Sequence, residues 1–296
     1  MLKINDELSK YNLIPNKYTN IRNVTIVDTN KGVFVFKKKK DISIFDYLKS
    51  RNFNYYPEII SDESDEFIIT RYVSPIDIPI EQKVVDMIDL VSLLHNKTTH
   101  FKEVDSDYFK GIYEDINNNI EYLYSYYNDI MTIIESKVYM SPPEYLLASN
   151  ISKVYEALNF CHIEIEKWYE LVKDEKKKRM VVLHNNLSLD HFIKNDSSYL
   201  ISWDKYKIDM PLFDIYKFFR KNDNIEFYET LKRYESKYPL LDYERKLLFI
   251  LIALPDKLEF STNNLDMCIK ISDMLNLIEK SKRFISPYYS KNTKNN

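Results

Sequence analysis

The sequence predicts an α+β chain, with a small antiparallel sheet in residues 1–74 and a larger, mostly helical part in residues 75–296. Three observations predict it. Short alternating runs rich in β-branched residues are concentrated before residue 75. Past Pro75 and Pro79 the apolar spacing changes to the three-and-four rhythm of helices. A brief return to strand-like runs between residues 181 and 203 then interrupts the helical pattern.

Taken in order, residues 23–28 (NVTIVD) read as a strand, Thr29-Asn30-Lys31-Gly32 as a turn, and residues 33–38 (VFVFKK) as a second strand. Residues 41–51 form a short helix with Ile44, Tyr47 and Leu48 on one face, stopped by Pro57. Ile59-Ile60 and residues 67–72 (FIITRY) read as two more strands around an acidic turn. Val84, Ile88, Val91 and His95 mark the first long helix. Phe109, Ile112, Ile116, Ile120, Leu123 and Tyr127 mark a longer one. Ser141-Pro142 has N-cap and N1 chemistry and opens a third helical region, which continues through Val154, Leu158, Ile165 and Trp168. The charged run 173–179 reads as a solvated helix end and loop, with a basic binding patch as the rival reading. Val181-Val182-Leu183, Phe192-Ile193 and residues 199–203 are strand-like, and helices resume at Leu212. The tail, residues 286–296, is polar and reads as frayed.

Composition narrows the function classes. A chain of 296 residues with 45% apolar and 29% charged residues is globular and long enough for a substantial core. Its net charge of −3 gives no general pull toward nucleic acid or an anionic membrane. Gly32 and Gly111 are its only glycines, so neither a Walker loop nor a Rossmann glycine fingerprint can be written. Cys161 and Cys268 are far apart in sequence and sit in apolar helical patterns, which reads as buried free thiols in a reducing compartment. The N-terminal residues lack an apolar signal core, and the most apolar stretch, residues 247–254, is too short to span a bilayer. A cytoplasmic protein without membrane insertion is the expectation.

Residues 182–221 (VLHNNLSLDHFIKNDSSYLISWDKYKIDMPLFDIYKFFRK) carry most of the functional information. The layout is an apolar strand, a polar loop, two short strands around a turn, an acidic loop, and a helix opening near Pro211. Here the chain resembles the aminoglycoside phosphotransferase and choline kinase superfamily. Its loop reads His-x-Asp-x-x-x-x-Asn, followed by a strand ending Ile-Asp-Trp/Phe-Glu/Asp and then Asp-Pro-x-x-Asp-Leu. By that resemblance His184 occupies the first His and Asn186 the place of the catalytic Asp. His191 occupies the place of the metal-binding Asn, and Ser202 that of the second metal-binding Asp, within Ile201-Ser202-Trp203-Asp204. Pro211 and Asp214 match the downstream Pro and Asp. Lys37, at the end of the second strand, falls where the superfamily has its phosphate-contacting Lys. Residues 67–72 resemble the segment joining the lobes, and Leu90 to His95 the Leu-His helix end. In the C-terminal third, Tyr238-Pro239-Leu240, Leu247-Leu248 and Leu254-Pro255-Asp256-Lys257 resemble the CotS-like and YutH-like spore coat branch. The loop run LSLDHF, residues 187–192, resembles the YutH-like loop. The resemblance implies a two-lobed protein-kinase-like fold. It implies ATP and magnesium acting on a small-molecule hydroxyl in active members, and a spore-associated role with a protein partner in the coat branch.

The replaced residues change the chemistry. Phosphoryl transfer depends on positioning and on neutralising charge. Asn186 has the shape of Asp, but its amide does not take a proton at neutral pH. Magnesium prefers carboxylates, whereas Ser202 offers a neutral hydroxyl and His191 a softer nitrogen. Asp190 and Asp204 are the acids near enough to serve instead, against a default of exposed loop acids. His184 and His191 otherwise read as hydrogen-bonded loop histidines, Lys37 as either an anion contact or a solvated strand end, and Asp214 as a helix cap or a brace for the loop. The expectation is a pseudokinase with a structural or scaffold role in a spore coat, needing no cofactor and binding no nucleic acid. The rival is an active kinase using ATP and magnesium on a small-molecule substrate through relocated acids. An unrelated helical binding protein is a third reading, against which the change of period near residue 75 speaks.

Overall fold

The structure is a computed structural model, and it describes residues 2–38, 43–62, 64–105, 107–222 and 225–290. The chain opens with helix α1 (Leu2–Lys10) and strand β1 (Pro15–Ile21), followed by β2 (Val24–Thr29), β3 (Gly32–Lys38), α2 (Ser43–Ser50) and β4 (Phe67–Arg71). Helix α3 (Ile80–Thr98), strand β5 (His100–Glu103), and helices α4 (Asp107–Glu135), α5 (Pro142–Ala148) and α6 (Ile151–Val172) come next. Strands β6 (Lys177–Leu183), β7 (Phe192–Lys194), β8 (Ser198–Leu200) and β9 (Lys207–Asp209) precede α7 (Leu212–Lys221), α8 (Phe227–Lys237), α9 (Asp242–Ala253) and α10 (Asn264–Ser290). The residues gather into two compact units. One comprises Met1–His100, Val181–Asp209 and Lys232–Tyr238; the other comprises Phe101–Met180, Met210–Leu231 and Pro239–Asn296.

In the first unit a four-stranded antiparallel sheet runs in the order β1-β2-β3-β4. Asn30-Lys31 forms the two-residue turn between paired Thr29 and Gly32. Gly32 has φ +116°, a conformation that side chains disfavour, and the Thr29 hydroxyl donates across the turn to its carbonyl at 2.7 Å. The strand period of two sorts the side chains. Val27, Phe34, Phe36 and Ile69 point to one face, where Ile4 and Leu8 of α1, together with Leu13, bury them. The alternate residues Val24, Ile26, Val35, Lys37, Ile68 and Thr70 point to the other face and line a cavity. Neither α1 nor β1 is legible in the sequence. Among its described side chains helix α1 buries Ile4 and Leu8, and β1 is a polar edge strand that is exposed at all but one position.

Two further differences concern this unit. Ile59 makes only an isolated bridge to Thr70, not a strand with Ile60. The strand expected over residues 199–203 ends at Leu200: Ser202 adopts φ +65°, and Trp203–Lys205 is a 3-10 turn. The expected helix is present over Ser43–Ser50; its expected start at Asp41 lies outside the described residues. Helix α3 fixes the position of β6, because the Thr98 hydroxyl accepts from the Val182 N–H at 3.0 Å. Its Asp89 is held by Arg233 at 2.6 Å and Lys237 at 2.7 Å, and its His95 meets the Tyr234 hydroxyl at 2.6 Å.

The second unit is helical. Helices α4, α6, α9 and α10 contribute Tyr127, Trp168, Leu248 and Ile271 to its core. The Trp168 indole N–H donates to the Tyr243 carbonyl at 3.0 Å. Cys161 is buried here, and burial pushes its thiol up, whereas Cys268 is only half-buried, contrary to expectation. The charged run 173–179 is not all solvated loop. Lys177 starts β6, and Lys178 and Arg179 are buried. Lys178 donates to the Tyr108 hydroxyl at 2.6 Å, with its ammonium 3.9 Å from that ring's centre. Arg179 donates from Nε to Glu244 at 3.0 Å and to the Pro239 carbonyl at 3.0 Å. The half-buried Tyr108 and the buried Glu244 take up the charges of Lys178 and Arg179. The tail is likewise helical through Ser290, with Pro287 inside α10; residues 291–296 lie outside the described residues. Among the described residues no helix is long and apolar enough to cross a membrane.

Candidate functional site

The cavity on the open face of the four-stranded sheet has a volume of about 260 Å³ and lies wholly within the first unit. Strand β3 supplies Val35 and Lys37, two residues apart and therefore on one face. The opposite wall comes from the segment around β7 and β8, through Ile193, Ile201, Ser202, Trp203 and Asp204. Phe45 of α2 and Tyr56 close one side, with ring centres 4.9 Å apart.

The wall is set by hydrogen bonds from the loop after β6. His184 is fully buried; its Nε2–H donates to the Ile201 carbonyl at 2.8 Å, and its ring meets Trp203 edge-on at 4.8 Å. Asn185 takes φ +59°, which Asn tolerates, and its amide donates to the Lys205 carbonyl at 2.6 Å. His191 Nδ1–H donates to the Asn186 carbonyl at 2.7 Å, while the Ile201 N–H donates to the His191 carbonyl at 2.9 Å. Each carbonyl contact places the proton on the named nitrogen of its ring. The Trp203 indole donates to the Leu200 carbonyl at 2.9 Å, and its ring packs 6.3 Å from Phe45 and 6.3 Å from Phe53. These bonds hold Ser202 in a left-handed conformation that is uncommon outside glycine.

The turn at Ser202 changes where Asp204 goes. On a continuous strand Asp204 would repeat the direction of Ser202 one pleat further on. Instead the left-handed residue and the 3-10 turn bring its carboxylate onto the Lys37 ammonium, where the two form an ion pair. Their side chains are 25% and 21% exposed, so water screens the pair only in part. Arg71, at the same cavity, is paired with Glu58 at 2.9 Å and lies over the Phe34 ring.

Of the residues singled out in the sequence, Lys37, Ser202 and Asp204 share this cavity. Asn186 and His191 sit in the loop beside its wall, and Asp190 is exposed in the 3-10 turn Leu189–His191. Asp214 belongs to the second unit, fully buried in the first turn of α7. Sequence reading did not single out Phe45, Tyr56 and Trp203 as cavity walls, nor the Arg71–Glu58 pair. The only signal for them was that Trp203 directly precedes Asp204, and nothing in that dipeptide predicts a ring against His184.

Solved structures give the arrangement a context. An aminoglycoside phosphotransferase from Alicyclobacillus acidocaldarius superposes with a TM-score of 0.69 at 12% identity, over 96% of this chain and 94% of that one. The chain has the fold of the aminoglycoside phosphotransferases. An AMP-bound spectinomycin phosphotransferase superposes with a TM-score of 0.54 at 14% identity, over 95% of this chain and 97% of that one. The same enzyme with ADP and spectinomycin gives 0.50 at 12% identity, again over 95% and 97%. No protein-family model matches the sequence, and no curated protein matches it. At these identities the likeness establishes a kinase-like fold, an antiparallel N-terminal sheet followed by a larger helical region.

The aminoglycoside phosphotransferase fold raises magnesium as an implied ion, and the residues present do not suit it. Magnesium asks for octahedral oxygen ligands, usually one or two carboxylates plus phosphates. Asp204 is the single carboxylate among the described residues lining the cavity, and Lys37 already engages it. Ser202 is neutral, and the Nδ1 of His191 is committed to a carbonyl.

Proposed function

We propose that the protein is a pseudokinase, a kinase-fold protein that binds a ligand in the sheet-face cavity without transferring phosphate and that serves as a scaffold. One observation carries the reading: the one carboxylate among the described cavity residues is held by the cavity's own lysine. A base for the attacking hydroxyl and an anchor for the metal are each wanting. Asn186 stands at the place of the base, and a carboxamide accepts no proton at neutral pH.

The test is turnover. Purified protein incubated with ATP and magnesium should release ADP no faster than a protein-free blank, with or without a panel of small hydroxylated acceptors. Magnesium-dependent turnover that disappears in Asp204→Ala would overturn the proposal. That result would establish the rival reading, an ATP-dependent small-molecule kinase with a relocated acid, which the meeting of Lys37 and Asp204 in one cavity favours. The scaffold role in a spore coat rests on the resemblance of the Tyr238–Lys257 region and the 187–192 loop. It is checked by expressing the tagged chain in a spore-forming host and extracting the coat. Recovery in the cytoplasm alone would remove that part.

A further inference from the structure

We propose that Asp204 acts as a built-in counter-anion for Lys37, so that the cavity selects an uncharged ring compound of the nucleoside class over the corresponding phosphorylated nucleotide. The inference rests on the reading of the cavity as a ligand site and goes beyond it by naming what that site accepts.

Two features define the chemistry. The first is shape and polarity. Val24, Ile26 and Val35 on the sheet side face Ile193, Ile201 and Trp203 on the other, a pair of apolar walls suited to a flat ring. The second is charge. Lys37 and Arg71 are the cations among the described lining residues, and each is already matched, to Asp204 and to Glu58. A ligand phosphate approaching Lys37 must either displace the Asp204 carboxylate or lie against it. Like charges at such a distance repel, and the partial burial of the pair strengthens the effect. An uncharged ring meets no such penalty and uses the apolar walls alone.

The sequence position of Asp204 is what makes this arrangement possible. The left-handed Ser202 and the 3-10 turn after it project the carboxylate of Asp204 to the lysine. Ser202 itself carries no charge. The acid is therefore placed to neutralise the lysine and not to share a metal with a ligand phosphate.

The test uses the full-length protein and a graded series, adenosine, AMP, ADP and ATP, in which one ring carries increasing negative charge. Affinities are measured by isothermal titration calorimetry without metal and again with excess magnesium, for wild type and for Asp204→Asn. That substitution keeps the shape and removes the charge; thermal unfolding and circular dichroism confirm that the variant is folded. In wild type adenosine should bind at least as tightly as ATP, with or without magnesium. In Asp204→Asn the ratio of ATP to adenosine affinity should rise at least tenfold, equivalent to about 1.4 kcal/mol. ATP binding wild type more tightly than adenosine, an unchanged ratio in the variant, or no adenosine binding at all would each overturn the proposal. ATP turnover by wild type would overturn the pseudokinase reading separately, because selectivity for the uncharged ring is read from affinities and not from product.

Discussion

Asp65 illustrates how a single side chain ties distant segments together. It accepts from Lys10 and Tyr11 of the N-terminal region and from the Asp62 N–H at 2.7 Å. Burial alone would raise its carboxyl, but the hydrogen bonds from Lys10, Tyr11 and Asp62 outweigh it and hold the group down to about 2. A carboxyl depressed on folding contributes stability that is fully present above its unfolded value, near 4, and lost as pH falls through about 2. Asp65→Asn should therefore be less stable than wild type at pH 6, and the gap should close as both are unfolded by urea at successively lower pH toward about 2. A gap that is constant across that range would show that the ion pair contributes nothing. Arg179 and Glu244 set a second test, in the helical unit. Glu244 is fully buried, so Glu244→Ala leaves a buried guanidinium without its carboxylate and should cost about 3–5 kcal/mol, read from chemical denaturation. At this scale the sequence was legible for composition and position but not for partners. The lysine and arginine of the 173–179 run read as solvated because charge is exposed by default. Partners far away in sequence, Tyr108 for the lysine and Glu244 and the Pro239 carbonyl for the arginine, make their burial tolerable.

Among elements, the N-terminal sheet shows what pattern reveals and what it hides. Strands β2 and β3 were legible because alternation of Val and Phe is a two-residue period with strong β-formers. Helix α1 was not, although its Ile4 and Leu8 pack on the core face of that sheet. Two buried apolar residues, Ile4 and Leu8, among its described side chains give little periodic signal. The energetic weight of α1 is nevertheless large. Leu8 is 1% exposed, and Leu8→Ala should cost about 2–5 kcal/mol, measured as a fall in the denaturation midpoint. A loss under about 1 kcal/mol would mean that the helix is not integral to the sheet. The short β7–β8 hairpin was also legible, from a polar turn between apolar runs. Its ending at Leu200 was not, since the left-handed turn at Ser202 is enforced by bonds from His184 and His191 rather than by a glycine.

For the molecule as a whole, the fold of the phosphotransferases is present, while the sheet-face cavity has a single carboxylate among its described lining residues and that one is paired with Lys37. Frame and chemistry are separable because they draw on different forces. The frame rests on apolar periodicity spread over most of the chain, which tolerates exchange of individual polar residues. The chemistry rests on a few oxygens at fixed positions. The protein should accordingly show no increase in melting temperature from magnesium beyond that produced by ATP alone at millimolar concentration. A magnesium-dependent increase would mean a bound metal–nucleotide complex, contrary to the donor set around Lys37 and Asp204.

The sequence by itself determined strands β2 and β3, the change from strand to helix period near residue 75, and the return to short strands before α7. These elements come from local periodicity, which neighbouring residues encode. Tertiary structure alone decided that Lys37 and Asp204 meet, 167 positions apart, and that Ser202 turns the chain to let them. Pairing across such a separation depends on how β3 and the β8 end are held in space, and that information resides in packing and hydrogen bonds, not in the composition of either segment.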